Sequence, residues 1–260
     1  MTRENVADIL CIGAQRTMTS WLHQLLSAHP GTWAFPNFEP LTSTNKEAHF
    51  WDRNRHRGAD WYRVLMRPLD DGLKSLDCTP EYAFLSRAQI AECKALSPGA
   101  TVIYLLRDPL ARAISAIRMH TMWATGNAAP DAHRITFDDA FRERCKHARL
   151  WQHGDYAANV ARWREQYPDM LVLNYEEVAA DPVAAAHRIA AACGLKAPEG
   201  DDLITFETRA ARTVWQAPRY PLDPACIQFL HGALWPQREA CANDLGLTFA
   251  EGDRILEDIR

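Results

Sequence analysis

The sequence contains no long apolar run and no large excess of charge of either sign. Its 260 residues are 47% hydrophobic and 24% charged, with a net charge of −4, which is typical of an ordinary globular protein. No apolar stretch approaches the length of a membrane span, and the start Met-Thr-Arg-Glu-Asn lacks the apolar core of a signal peptide. The slightly negative charge argues against nucleic acid as the main partner, so any anion site must be local.

The cysteines lack the spacing of a disulfide framework or a zinc site. They are odd in number, widely spread and without a Cys-x-x-Cys pair. We therefore predict buried thiols, a reducing cytoplasmic compartment and no metal. No repeat or linker divides the chain, which predicts one domain over residues 1–260. The oligomeric state is not specified by any pattern.

Short apolar runs alternate with segments of helical apolar spacing. Strands are predicted at 9–13, 74–78, 101–106 and 170–174. Helices are predicted at 20–28, 86–96, 109–122, 137–151, 155–166 and 182–193, with two short helices after residue 223. Strands separated by helices imply crossover connections, so we expect an α/β fold with a central, mostly parallel sheet flanked by helices.

The first strand is followed by a turn suited to an anion. Strand, tight turn and helix together point backbone N–H groups and a helix dipole at the turn, and Arg16, Thr17, Thr19 and Ser20 add donors. The Gly-Lys-[Ser/Thr] ending of a Walker A loop is missing, which argues against a standard ATPase or GTPase. The alternative is an ordinary connection whose hydroxyls cap the helix.

A second anion-ready segment follows the strand at 101–106. Arg107 stands at the strand end and Ser115 lies two turns into the next helix, where parallel sheets place their ligands. The guanidinium of Arg107 offers a planar fork for a phosphate. The alternative is an arginine that pairs with its neighbour Asp108.

These segments resemble the sulfotransferases that use 3′-phosphoadenylyl sulfate (PAPS). The turn and the Arg107 segment resemble their phosphosulfate-binding and 3′-phosphate-binding motifs, and three further segments resemble the carbohydrate and heparan-sulfate branch. In chain order the five segments are 12–22, 46–52, 79–82, 105–115 and 154–178.

The resemblance implies a single domain with the P-loop-NTPase-like sulfotransferase fold. It also implies in-line transfer of the sulfuryl group from PAPS to a hydroxyl or amine of a small-molecule, glycolipid or carbohydrate acceptor. Trp21 would lie against the adenine; as an alternative, its place on the apolar stripe of its helix favours core packing. The remaining implied donor contacts are Arg16, Thr17, Thr19 and Ser20 to the 5′-phosphosulfate, and Arg107 and Ser115 to the 3′-phosphate.

Three positions depart from the family pattern. Arg16 replaces a lysine; it keeps the charge but cannot give up a proton, and charge alone can stabilise a leaving phosphate. Met18 replaces a glycine and would be strained if its φ is positive. Cys78 stands where heparan-branch relatives often carry lysine. The Arg16 and Met18 departures leave open a catalytically silent PAP- or PAPS-binding protein. A nucleotide-dependent small-molecule kinase is a second alternative, although the missing Gly-Lys-[Ser/Thr] argues against it.

Glu47 and His49 are the candidate bases. Residues two apart in an extended segment face the same side, so both can project into one cleft. The resemblance favours Glu47 as general base, with His49 assisting it or orienting the acceptor. The alternative is a surface glutamate and a structural histidine.

The acceptor region is predicted from aromatic residues in loops. The segment 32–45 has no clear periodicity and is the expected specificity loop. Arg209, Arg212 and Arg219 are expected in a loop before the last helices, either near the cofactor or as solvated charges. The aromatic candidates are Trp33, Phe35, Phe38, Trp51, Trp61 and Trp123.

Overall fold

A computed structural model describes residues 4–36, 45–126, 129–130, 133–214, 216 and 218–259. The chain forms two compact units. The sheet unit comprises the described residues of Met1–Ala14, Met18–Leu106 and Asn159–Val214. The helical unit comprises those of Gln15–Thr17, Arg107–Ala158 and Trp215–Arg260. The expected single domain over 1–260 stays a prediction.

The sheet unit is built on five parallel strands in the order β2-β3-β1-β4-β5. β1 lies in the centre, with Ile9 opposite both Leu76 of β3 and Thr101 of β4. The predicted α/β class and parallel sheet are confirmed. The strands are β1 Ile9–Gly13, β2 Thr32–Ala34, β3 Lys74–Asp77, β4 Thr101–Leu106 and β5 Leu171–Asn174.

Some helices connect one strand to the next, and the others follow the last strand, β5. In chain order they are α1 Thr19–Ser27, α2 Ala59–Leu65, α3 Arg87–Leu96, α4 Pro109–Ala124, α5 Asp139–His147, α6 Leu150–Gly154, α7 Tyr156–Arg164, α8 Tyr175–Ala180, α9 Pro182–Ala192, α10 Gly200–Ala210, α11 Pro224–Leu245 and α12 Glu251–Glu257. A π-helical turn spans Phe50–Asn54, and 3₁₀ turns span Arg55–Arg57 and Pro80–Phe84. None of the helices in the described part of the chain is long and apolar enough to cross a membrane.

Several element boundaries differ from the sequence predictions. The predicted helix 137–151 is wrong: Arg149 has a left-handed φ of 47°, and the chain forms α5 and α6 on either side of it. The predicted short helices of the tail are α12 and a 22-residue helix, α11, which continues through Pro236. The edge strand β2 escaped prediction because three residues are too few to show a period.

Each unit has its own apolar core. In the sheet unit, side chains of β1, β3 and β4 pack against α1, α9 and α10. In the helical unit, α4, α5 and α11 pack together. All seven cysteines are buried and outside disulfides, which confirms that they act as small apolar side chains.

Gly13 ends β1 where the chain comes close to the turn after β3. Its φ is +134°, and a Cβ atom there would lie 2.7 Å from the carbonyl oxygen of Pro80. A glycine is therefore required at this position both by backbone conformation and by space.

We expect Gly13→Ala to destabilise the protein more than the matched control Gly58→Ala. Gly58 has a φ of +81°, and a Cβ atom there would have nothing within 4 Å of it, so its substitution reports backbone strain alone, about 1–3 kcal/mol. The clash at Gly13 should add at least about 1 kcal/mol. Urea unfolding of both variants measures the difference; equal losses would show that the contact with Pro80 relaxes freely.

Candidate active site

The turn between β1 and α1 has two non-glycine residues in the left-handed region. Arg16 has a φ of 72° and Met18, the residue before α1, a φ of 71°. The strain expected for Met18 is therefore present, since this region favours glycine. Thr17 and Thr19 are buried, and Ser20 is exposed at the start of the helix.

Three of the predicted donor-binding residues meet in the helical unit. The Nε of Arg16 donates to the Oγ of Ser115 over 3.0 Å. The Nη1 of Arg107 donates to the backbone oxygen of Arg16 over 3.3 Å. Arg16 is thus linked through its side chain to Ser115 and through its backbone to Arg107, and two guanidinium groups and a hydroxyl offer donors suited to phosphate oxygens.

Arg107 holds a carboxylate in this structure. Its Nε donates to the Oε2 of Glu251 over 2.7 Å and its Nη2 donates to Oε1. The alternative pairing with Asp108 is not formed. Asp108 instead accepts from the backbone N–H of Ala111 at the start of α4 and lies 3.2 Å from Arg238. Glu251 was missed because it lies 144 residues along the chain, with no local pattern linking it to Arg107.

Trp21 packs in the core of the sheet unit. Its side chain is 2% exposed, and its indole N–H donates to the backbone oxygen of Ala210 over 2.8 Å. This is the core-packing alternative. Contact of Trp21 with the adenine stays a prediction.

The segment that carries Glu47 and His49 is fixed to the end of β3. The backbone N–H of Ala48 donates to Asp77, and that of His49 to the Oγ1 of Thr79. The backbone oxygen of Lys46 accepts from the N–H of Cys78 over 2.9 Å. Asp77 was missed from the sequence, although an acidic residue closing a buried strand is a signal that such a position needs partners.

Asp77 is a buried carboxylate with several donors. Besides Ala48 it accepts from the hydroxyl of Thr79 at 2.7 Å, from Tyr62 at 2.9 Å and from Tyr82 at 3.0 Å. Burial raises the pKa of Asp77, and these hydrogen bonds oppose that rise. The network therefore fixes the segment rigidly at the carboxyl end of the strand.

Glu47, His49 and Asp52 form a hydrogen-bonded series. The Nε2 of His49 lies 3.1 Å from the Oε2 of Glu47, and its Nδ1 lies 2.9 Å from the Oδ2 of Asp52. The other oxygen of Glu47 accepts from the ammonium of Lys46. The expectation that Glu47 and His49 project to the same side agrees with this geometry; their catalytic roles stay predictions.

The pKa values of His49 and Glu47 are strongly shifted. Burial would lower the pKa of His49, but hydrogen bonds to Asp52 and Glu47 outweigh it and raise the pKa to about 9. Burial would raise the pKa of Glu47, but His49 and Lys46 outweigh it and lower the pKa to about 2. At neutral pH His49 is therefore an imidazolium and Glu47 a carboxylate.

Glu81 is a third carboxylate beside His49. Its Oε2 lies 3.9 Å from the Nδ1 of His49 and makes no hydrogen bond among the described residues. Burial raises the pKa of Glu81, while the charge of His49 opposes the rise. Ligand atoms of Glu47, His49 and Glu81 lie within 4.8 Å of one another, so this set can also hold a metal ion. The absence of metal chemistry stays a prediction.

The placement of the aromatic residues in loops is wrong for Trp33, Trp61 and Trp123, which lie in β2, α2 and α4. Phe35 and Trp51 are buried, Trp33 and Trp61 are half-buried and Trp123 is 57% exposed. Phe38 and the rest of 37–44 in the expected specificity loop lie outside the described residues. The placement of Arg209 in a loop is wrong, because it lies in the last turn of α10.

The family model of the sulfotransferase domain matches residues 7–210 of this chain. The chain belongs to the sulfotransferase family. Its turn, its Glu47–His49 segment and its Arg107–Ser115 segment all lie within the matched range, as the resemblance predicted. Glu251 lies outside it.

Curated relatives are heparan sulfate sulfotransferases. The chain is 31% identical over 202 residues to mouse (Mus musculus) heparan sulfate glucosamine 3-O-sulfotransferase 3A1, covering 74% of this chain and 47% of that protein. It is 28% identical over 196 residues to the human (Homo sapiens) 3-O-sulfotransferase 6, covering 75% and 54%. The chain spans about half the length of the curated relatives it matches.

Solved structures show the same fold. A sulfotransferase from Alicyclobacillus acidocaldarius matches with a TM-score of 0.64 at 20% identity, covering 94% of this chain and 96% of that one. Sulfotransferase STF9 from Mycobacterium avium matches with a TM-score of 0.51 at 16% identity, covering 90% and 77%. The predicted sulfotransferase fold is confirmed.

We expect Met18→Gly to be more stable than Met18→Ala by about 1 kcal/mol, because both variants lose the same packing while only glycine relieves the left-handed strain. Chemical unfolding of the two variants measures this difference. Equal stabilities would show that residue 18 leaves the left-handed region when its side chain is shortened.

We expect His49 to make stability depend on alkaline pH. A pKa of about 9 in the folded state exceeds the ordinary value of 6.5. The contribution of protonated His49 to the free energy of unfolding is therefore complete below about pH 6.5. It is lost as the pH rises through about 9, a change of about 3 kcal/mol. Wild type should lose this amount between about pH 6 and about pH 9.5 relative to His49→Gln, measured by urea unfolding.

The matched control is His187→Gln, at a half-exposed histidine paired with Glu207. This variant should keep the alkaline loss seen in wild type. A His49→Gln protein with the same loss would contradict the raised pKa.

Proposed function

We propose that the protein transfers the sulfuryl group of PAPS to an acceptor hydroxyl, with release of PAP (3′-phosphoadenosine 5′-phosphate). The observation that carries the proposal is the ionised Glu47 held between His49 and Lys46 at the end of β3. Family membership supports the reaction class.

The helical unit supplies groups that fit the donor. Arg107 already binds a planar oxyanion, the carboxylate of Glu251, through two donors, so its fork suits the 3′-phosphate. Donor binding would exchange the carboxylate for the phosphate. Ser115 would contact the 3′-phosphate, and Arg16 would stabilise charge on the 5′-phosphate. Thr17, Thr19 and Ser20 add donors in the turn.

Glu47 would accept the acceptor's proton. The acceptor oxygen forms a bond to sulfur while the bond between sulfur and the phosphate oxygen breaks, and that electron pair stays on the phosphate. The acceptor's proton becomes acidic as its oxygen bonds to sulfur, so a carboxylate of low basicity suffices. His49 orients Glu47, and Asp52 fixes the other ring nitrogen of His49.

The acceptor class follows from the relatives. Proteins named for a glucosamine of heparan sulfate are similar to this chain over about three quarters of its length, which supports a carbohydrate hydroxyl. Small-molecule and glycolipid hydroxyls are the other acceptors within this proposal.

We expect Glu47→Gln to reduce transfer at least about 10²-fold, because a general base typically contributes about 10²–10⁴-fold, while PAP binding stays within about threefold of wild type. The assay follows labelled sulfate from PAPS into a panel of glycans, amino sugars and phenols, in parallel with ATP and Mg²⁺. The same assay with a chelator tests whether a metal ion bound by Glu47, His49 and Glu81 contributes to transfer.

Glu92→Gln, at a surface residue paired with Arg55, is the matched control and should transfer normally. Full turnover by Glu47→Gln would remove Glu47 from the mechanism. Phosphorylated product from ATP would favour the kinase alternative, and PAP binding by wild type without turnover would favour the silent one.

A further inference from the structure

Lys46 is a mostly buried cation beside the end of a central strand. Its side chain is 13% exposed. Its backbone oxygen accepts from the N–H of Cys78, directly after β3, over 2.9 Å. Since β1 and β3 are parallel neighbours, their carboxyl ends lie at the same end of the sheet. Lys46 therefore lies at the end of the sheet where the turn after β1 begins.

Lys46 also lines a pocket that runs along α1, from Ser20 in its first turn to Ala28 after its end. This pocket, within the sheet unit, has a volume of about 520 Å³ and is lined by Ser20, His23, Lys46 and Arg209 among others. Two of the described lining side chains are cationic at neutral pH and none is acidic. A pocket with this lining favours an anion.

Keeping Glu47 ionised does not by itself require a buried lysine. The Glu47 carboxylate would be held ionised by His49 as well, and an exposed lysine could serve it without the desolvation that burial imposes on an ammonium. Lysine is a compact point charge with three donors, so it can serve Glu47 and a second anion together.

We propose that Lys46 contacts the phosphosulfate of the donor and stabilises the negative charge that develops on the leaving phosphate. This inference rests on the proposed function. The sulfur–oxygen bond to the phosphate breaks with its electron pair on the phosphate, and Lys46 keeps its proton throughout.

The rival role is positioning, in which Lys46 only holds Glu47. The two roles predict different results for Lys46→Met. If Lys46 contacts the donor, Lys46→Met should lower kcat about 10²–10³-fold. It should also weaken the binding of PAP at least about fivefold, although PAP binds without any acceptor. A residue that only positions Glu47 should leave PAP binding unchanged and alter the pH profile of kcat.

The test uses the full chain and titration calorimetry with PAP, together with sulfate-transfer kinetics. Lys46→Arg keeps the charge and should retain PAP affinity within about threefold, since a guanidinium binds phosphate oxygens well. Lys94→Met, at a lysine that donates to the backbone of Pro98, is the matched control and should bind PAP as wild type does.

Weakened PAP binding by Lys46→Met, with normal binding by Lys46→Arg and Lys94→Met, supports the proposal. Wild-type PAP affinity in Lys46→Met overturns it, whatever its kcat. If wild type binds PAP but transfers no sulfate, the proposed function fails, while the PAP comparison still decides whether Lys46 contacts the donor.

Discussion

The buried carboxyl group of Asp77 fixes the position of the segment that carries Glu47 and His49. A desolvated carboxylate must be compensated by donors, and here they come from the backbone of Ala48 and from three hydroxyl groups, those of Thr79, Tyr62 and Tyr82. Residues 46–49 are thereby attached to the end of β3 by hydrogen bonds, although they do not form a strand. Glu47 and His49 are held in a fixed geometry because Ala48 between them donates its backbone N–H to the buried carboxyl group of Asp77.

A second constraint acts at the turn after β1, where two side chains occupy strained backbone positions. Arg16 and Met18 both occupy the left-handed region, which is costly for side chains with a Cβ atom. The carbonyl of Arg16 accepts from Arg107, and its side chain donates to Ser115. These contacts fix two arginines of like charge in one hydrogen-bonded series, and an anion offsets the repulsion between like charges. Glu251 supplies such an anion in this structure.

The sequence was informative where the signal is local. The buried runs of β1 and β4 show their strands directly, and the spacing of Glu47 and His49 placed them on one side of their segment. Arg107 and Ser115 were predicted as one cluster because a helix begins at Pro109. Family resemblance added the order of the motifs, and the family match over 7–210 agrees with it.

Other features depend on contacts between residues far apart in the chain, which no local pattern contains. Glu251 reaches Arg107, and Asp77 collects donors from three segments. Trp21 was ambiguous because its helical stripe suits both the core and a ligand, and only the acceptor for its indole N–H, Ala210, reveals the packing. Arg149 breaks a predicted helix by adopting a left-handed conformation that its residue type does not signal.

The proposal that Arg107 and Ser115 recognise the 3′-phosphate of a nucleotide is tested most directly by calorimetric titration of the wild-type protein with PAP and with adenosine 5′-phosphate (AMP), which differs from PAP only by lacking that phosphate. A phosphate held by charged donors should make PAP bind at least about tenfold more tightly than AMP, since hydrogen bonds to charged groups contribute about 1.5–3 kcal/mol. Equal affinities for PAP and AMP would contradict this recognition.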